Sequence, residues 1–221
     1  MKENKTYNIY VLSYCPYCIR VWIATGLLDK QIKAYREQHG ENALIEFIDN
    51  TDIRAYRDQY GEKELEKLVS DNSHILSEVV LDIIQYPCLV SDDKILMYES
   101  LDIIEFLSGI KINIIETPLS NLAKDLYQAE DVQSRVTIIS NMDQELKLRP
   151  DRYDFTSPDP LSSLDRDLTI ITSLYTNITL QDSDFIKHTS YLTAYINKLY
   201  ARFMLEDLSL QHREHRLSME K

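Results

Sequence analysis

The chain has 221 residues, a mass of 25.9 kDa and a formal net charge of −12, with 44% hydrophobic and 27% charged residues. Only 4 glycines and 6 prolines exclude collagen-like and low-complexity chains, and apolar side chains along the whole length exclude disorder as the main state. An excess of acid, 36 Asp+Glu against 24 Lys+Arg, argues against a basic face for nucleic acid and against attraction to an anionic membrane.

In chain order, Tyr7-Asn-Ile-Tyr-Val-Leu12 is β-branched and aromatic and predicts a short buried strand. Ile19, Trp22, Ile23 and Leu27 step by three and four, a helical face that can run on through Gln31 to Gln38, with Gly40 as its stop. Leu44 to Ile48 reads as a second strand. Two helical patterns follow, near Ile53 to Val69 and near Ser73 to Ile84. Cys88-Leu-Val90 and Ile95-Leu-Met-Tyr98 flank the Asp-rich Ser91-Asp-Asp-Lys94 and predict a β-hairpin. Ser100 to Leu107 is helical, so the order is β-α-β-α-β-β-α.

Beyond Gly109 the strand signal weakens. Thr117-Pro118 offers a helix start, with Thr as cap and Pro at the first helical position, and Asp159-Pro160 offers another. Leu161, Leu164, Leu168, Ile171 and Leu174 repeat at helical spacing. A last helix is expected from Asp184 to Leu208, followed by a charged tail, Gln211 to Lys221. The expected organisation is an α/β domain at 1–108 with a helical insertion around 53–84, a linker at 109–117, and an all-helical domain at 118–221.

No apolar run approaches the roughly 18 residues of a membrane span. Ile9 to Leu12 is shorter than the roughly 7–15 residues of a signal-peptide core. The expected location is therefore the cytoplasm. The three cysteines, Cys15, Cys18 and Cys88, do not form a secreted disulfide framework. In a reducing compartment, Cys15-Pro-Tyr-Cys18 points to metal binding or to thiol–disulfide chemistry.

Placement separates these readings. Cys15 stands between a predicted strand and a predicted helix, where free N–H groups and the positive end of the macrodipole favour a thiolate. Cys18, one turn on, is more shielded and can resolve a mixed disulfide formed on Cys15. Pro16 loses no helical hydrogen bond in the first turn. A zinc site would need a second ligand pair, and His212 with His215 is the one pair of that kind. Two inert buried cysteines are the remaining alternative. Cys88 reads as a small buried strand residue, because alternation points it away from Cys15.

The strand, Cys15-Pro-Tyr-Cys18, Tyr86-Pro87 before a hairpin and Glu99-Ser100 opening a helix together resemble a glutaredoxin. With the helical half, the chain is similar to the glutaredoxin 2 type, which has a glutathione-transferase-like two-domain fold. The resemblance implies an N-terminal thioredoxin/glutaredoxin-like domain and a helical glutathione-transferase-like domain. It also implies a glutathione-dependent thiol–disulfide oxidoreductase. Cys15 is the nucleophile and Cys18 the resolving thiol, with glutathione as co-substrate and neither metal nor flavin. Pro87 matches a cis-proline facing the nucleophile, and the Tyr86 backbone would pair with the cysteinyl part of glutathione. Glu99 and Ser100 would hold the γ-glutamyl group, and Tyr17 would contact glutathione. Partners would be disulfide-containing or glutathionylated proteins, and the glutaredoxin 2 type implies a monomer rather than a dimer.

Taken alone, Glu99-Ser100 is a helix cap, and Tyr86-Pro87 an ordinary trans turn. The chain also departs from the family. Pro87 follows Cys15 by 72 positions, a longer interval than usual. Gln181 stands where the last core helix usually has Ser or Thr, and no lysine stands immediately before Cys15. Two other functions remain open: a glutathione transferase acting on electrophiles, and a non-catalytic interaction protein docking through Ile53–Ile84.

Overall fold

The computed structural model describes residues 2–13, 15–112, 116–153, 166–170, 173 and 189–203. The chain divides into two compact units, Met1–Ile112 and Asn113–Lys221. The first unit runs β1 (Glu3–Val11), α1 (Pro16–Leu27), α2 (Asp29–Gln38), β2 (Glu41–Asp49), α3 (Thr51–Tyr60) and α4 (Glu62–Asp71). A 3-10 turn at Glu78–Leu81 leads into the hairpin β3 (Cys88–Ser91) and β4 (Lys94–Met97), then α5 (Ser100–Ser108).

The sheet order is β2-β1-β3-β4, with β1 parallel to β2 and antiparallel to β3. This is a thioredoxin-like arrangement. Side chains of β1 alternate between two buried faces. Tyr7 meets Phe106 of α5 edge-on at 5.8 Å on one face. On the other, Tyr10 joins Cys88, Val90, Leu65, Val69, Val79, Val80 and Ile83 in a cluster under α4 and the 3-10 turn. Helices α1 and α2 both pack on α5, which places them on the Tyr7 face. The β3–β4 turn uses Asp92 and Asp93 at φ of 52° and 54°. Two left-handed central residues suit a two-residue hairpin loop, and Asp tolerates that region better than most side chains.

Several sequence expectations are corrected. The helix through Gln38 is two helices, broken at the buried Leu28. The Ile53–Val69 pattern is likewise two helices, because Gly61 takes a φ of +84° between them. The helix expected over Ser73 to Ile84 is not an α-helix. Asn72 ends α4 by returning its side-chain amide to Leu68 O at 2.8 Å. Ser77 then turns extended and caps the 3-10 turn by accepting from Val79 N at 3.3 Å. Carbonyls that a helix would use internally go to the buried Arg57 guanidinium: Ile83 O at 2.5 Å, Leu81 O at 2.7 Å and Val80 O at 3.0 Å. Ile75 and Ile84, within the stretch expected to be helical, are 73% and 74% exposed.

A second buried guanidinium closes the opposite face. Arg36 donates from Nε to Leu107 O at 3.2 Å and from a terminal nitrogen to Phe106 O. Its other terminal nitrogen reaches Tyr7 Oη and Glu41 Oε2, both at 3.3 Å. It thereby satisfies carbonyls at the C-terminal end of α5 that lack helical partners. The Phe106 ring centroid lies 4.2 Å from the guanidinium carbon. Gly109 then ends α5 at φ +69°, and the Tyr35 ring occupies the space where a Cβ would stand.

The second unit contains α6 (Pro118–Gln128), α7 (Val132–Leu148), a 3-10 turn at Pro150–Tyr153, a helical stretch at 166–170 and α8 (Ser190–Phe203). Thr117 caps α6 in a reciprocal box with Ser120, and Pro118 is the first helical residue. Asp131 caps α7 by accepting from Ser134 N at 2.8 Å. Among the described residues, Leu119, Ala123, Leu126, Ile139, Met142, Leu168, Ile170 and Leu192 are fully enclosed apolar side chains. Tyr153 Oη accepts from Leu119 N at 3.3 Å and donates to Glu145 at 2.9 Å. Asp159-Pro160, Leu161, Leu164, Ile171, Leu174, Gln181, Asp184 and the tail lie outside the described residues.

Arg36→Leu leaves several buried acceptors without a donor and is expected to destabilise the fold by about 3 kcal/mol. Urea unfolding measures this. A loss below about 1 kcal/mol would mean that water reaches those carbonyls.

Candidate active site

The end of β1, the start of α1, the end of β2 and the start of β3 meet at one edge of the sheet. Cys15 is the N-cap of α1, extended at φ −82° and ψ 120°, with Pro16 as the first helical residue. Its N–H bonds Leu12 O at 3.1 Å, and its carbonyl accepts the first helical bond from Ile19 N at 3.1 Å. No side-chain hydrogen bond caps this helix, and the first-turn N–H groups of Tyr17 and Cys18 are turned to the Cys15 sulfur.

Cys15 is partly buried and Cys18 is 2% exposed. The Cys15 thiol is lowered from 9.0 to about 7. The hydrogen bond from the Cys18 thiol is the main cause, helped by the backbone N–H groups of Cys18 and Tyr17 and opposed by burial. Cys18 is driven strongly upward, first by burial and then by its hydrogen bond to Cys15. Its sulfur accepts from Leu12 N at 3.4 Å. The pair therefore keeps its last proton on Cys18, and Cys15 gains thiolate character as the pH passes about 7.

The Tyr86–Pro87 bond is cis. The Tyr86 carbonyl oxygen lies 3.9 Å from Cys15 Sγ. Tyr86 Oη accepts from Asn50 Nδ2 at 2.5 Å. Glu99 is the N-cap of α5, and its side chain makes no cap bond. Its Oε1 accepts from Gln85 Nε2 at 3.1 Å instead, which ties it to the Tyr86–Pro87 arm. Ser100 is the buried first residue of α5, inside the helix rather than capping it. Tyr17 is 52% exposed, with the Arg20 guanidinium 5.7 Å from its ring centroid.

The structure therefore joins Cys15, Cys18, Tyr86 and Pro87 directly and links Glu99 to them through Gln85. Cys88 points into the cluster under α4, and burial pushes its thiol up to about 12. It takes no part at the Cys15 edge. Among the described residues no group of three or more His, Cys, Asp or Glu is placed to hold a metal ion; His212 and His215 lie outside them. No described helix is long and apolar enough to cross a membrane.

Sequence reasoning missed Asn50 and Thr51. They follow a strand and open a helix, so they read as cap residues. Yet Asn50 gives α3 no side-chain cap bond; its Nδ2 donates to Tyr86 Oη. Thr51 Oγ1 accepts from Ser13 N at 3.0 Å and donates to Asp49 Oδ1 at 2.5 Å.

Compared with known proteins, the chain matches no family model and no curated protein. Among solved structures it is similar to a glutathione transferase Omega 3C from Trametes versicolor, at 14% identity and a TM-score of 0.43. That likeness covers 95% of this chain and 92% of the other.

The thiol pair makes a direct prediction. In the native chain the alkylation rate of Cys15 should rise with pH about a midpoint near 7. Cys18→Ala removes the principal hydrogen bond to the thiolate, so the midpoint should move up toward 9.0. A midpoint that stays put would assign the depression to the backbone N–H groups alone.

Proposed function

We propose that this protein is a glutathione-dependent thiol–disulfide oxidoreductase of the glutaredoxin type. The observation that carries the reading is the placement of Cys15 as N-cap of α1 with the buried Cys18 one turn on, an arrangement that lowers the Cys15 thiol and keeps the proton on Cys18. The cis-proline arm beside Cys15 supports it further.

Cys15 thiolate attacks the glutathionyl sulfur of a mixed disulfide. A Cys15–glutathione disulfide forms, and the substrate thiolate leaves and takes up a proton. A second glutathione, as thiolate, attacks the bound glutathionyl sulfur. Oxidised glutathione departs and the Cys15 thiolate returns. With a protein disulfide, Cys15 first forms a mixed disulfide with one substrate sulfur while the other leaves and takes up a proton. Cys18 then gives up its proton, attacks the Cys15 sulfur, and the second substrate sulfur departs as a thiol. That step is aided by the first one: once Cys15 is covalently bound it carries no charge, so one of the causes raising the Cys18 thiol disappears. Two glutathiones then reduce the Cys15–Cys18 disulfide.

Tyr86, Pro87, Glu99, Ser100 and Tyr17 are the residues we assign to glutathione. The Tyr86 backbone beside Cys15 would bond the cysteinyl part like an added strand. The open N-terminus of α5 suits the γ-glutamyl carboxylate, and Glu99 its ammonium. A glutathione transferase would instead need to activate the thiol of bound glutathione, and a protein thiolate at the head of α1 would compete for that position.

The test is reduction of a small glutathionyl mixed disulfide by glutathione. Cys15→Ser should abolish it and Cys18→Ser should retain part of it. An inactive but folded native chain would reject the oxidoreductase reading.

A further inference from the structure

The loop after β2 connects the two arms of the site. Asp49, Asn50 and Thr51 are consecutive, and Asn50 and Thr51 are 2% and 9% exposed. Asn50 N–H bonds Val11 O at 2.8 Å, which fixes the loop to the end of β1. Thr51 holds the Cys15 arm by accepting from Ser13 N, and its Oγ1 lies 3.2 Å from Ser13 Oγ. Asp49 Oδ1 orients Thr51 by accepting from its hydroxyl at 2.5 Å and from its N–H at 2.9 Å. Asn50 holds the other arm through Tyr86 Oη. These bonds span 38 residues to Ser13 and 36 to Tyr86. The two arms carry the sulfur and the carbonyl oxygen that lie 3.9 Å apart.

We propose that Asn50 and Thr51 are positioning residues that set the spacing between the Cys15 sulfur and the Tyr86 backbone. Neither touches the sulfur. Each fixes one arm to a shared three-residue corner, so both arms move together or not at all. The inference rests on the function proposed above for its consequence, because an added-strand contact to glutathione needs the Tyr86 backbone at a fixed distance from Cys15. A displacement on the order of 1 Å between reacting groups is enough to slow an enzyme severely. The Tyr86 hydroxyl is tied to a nearly enclosed amide, so it serves the arm rather than solvent.

Two readouts separate this proposal from the function it serves. The first is alkylation of Cys15 by iodoacetamide at about pH 9, above its midpoint, where the rate reports access rather than titration. Tyr86→Phe and Asn50→Leu each delete the same bond. Each should accelerate alkylation about fivefold, and the double variant should be no faster than either single one. Asn50→Asp should restore the native rate, because the Tyr86 hydroxyl can donate to a carboxylate. Thr51→Val should accelerate alkylation independently. The second readout is the KM for glutathione, which should rise in the first two variants by more than kcat falls.

Unchanged alkylation, or accelerations by Tyr86→Phe and Asn50→Leu that multiply, would overturn the proposal. So would a drop in Tm with neither readout moved. If alkylation behaves as expected but the native chain does not turn over glutathione, the positioning role stands and the oxidoreductase reading fails.

Discussion

Strand β1 is bonded on both edges while its side chains are buried on both faces, and the site follows from that constraint. Its parallel neighbour β2 ends on the same side as β1 does. Its antiparallel neighbour β3 starts there. The C-terminal ends of two strands and the N-terminal start of a third are therefore delivered to one edge. Cys15, the Asp49–Thr51 corner and Tyr86–Pro87 meet without a long loop. A strand partnered on one side only would bring two of these segments together and leave the third elsewhere.

At that edge the chemistry is a division of labour between two identical side chains. Cys15 stands at a helix terminus and receives hydrogen bonds. Cys18 lies one turn deeper, and burial holds its proton on. One thiol is lowered and the other raised, because a single helical turn separates a partly solvated end from a closed interior. Cys88 shows the limit of this effect. It is next to Pro87 in sequence, yet strand alternation directs it to the opposite side of the sheet, where only desolvation acts on it.

Much of this was legible in the sequence because the signals are local. A strand ending in Ser13, a Cys-Pro-Tyr-Cys turn and a Pro87 opening a short apolar run each declare themselves within a few residues. The exposed Ile75 and Ile84 show where such reading fails. The segment they belong to read as helical, but Arg57 takes its carbonyls, and nothing near Ile83 in sequence announces a guanidinium 26 residues earlier. Asn50 and Arg36 escaped for the same reason. Each side chain looks like an ordinary cap or surface residue until its partner, 36 or 71 positions away, is known. The helix break at Gly61 was a different case, since glycine after a charged helical stretch is a stop signal that the apolar period of Ile53–Val69 overrode.

Arg57 grips the 3-10 segment by main-chain oxygens alone, and every residue type offers the same oxygen. The grip is thus indifferent to which side chains the segment carries. The exposed positions flanking it, Ile84 beside the Tyr86–Pro87 arm and Ile75 at the far end, can change without touching that grip. The fold has in effect a fixed frame with replaceable lettering at the margin of its reactive edge. A population of descendants can diversify what it presents there without renegotiating how the chain folds.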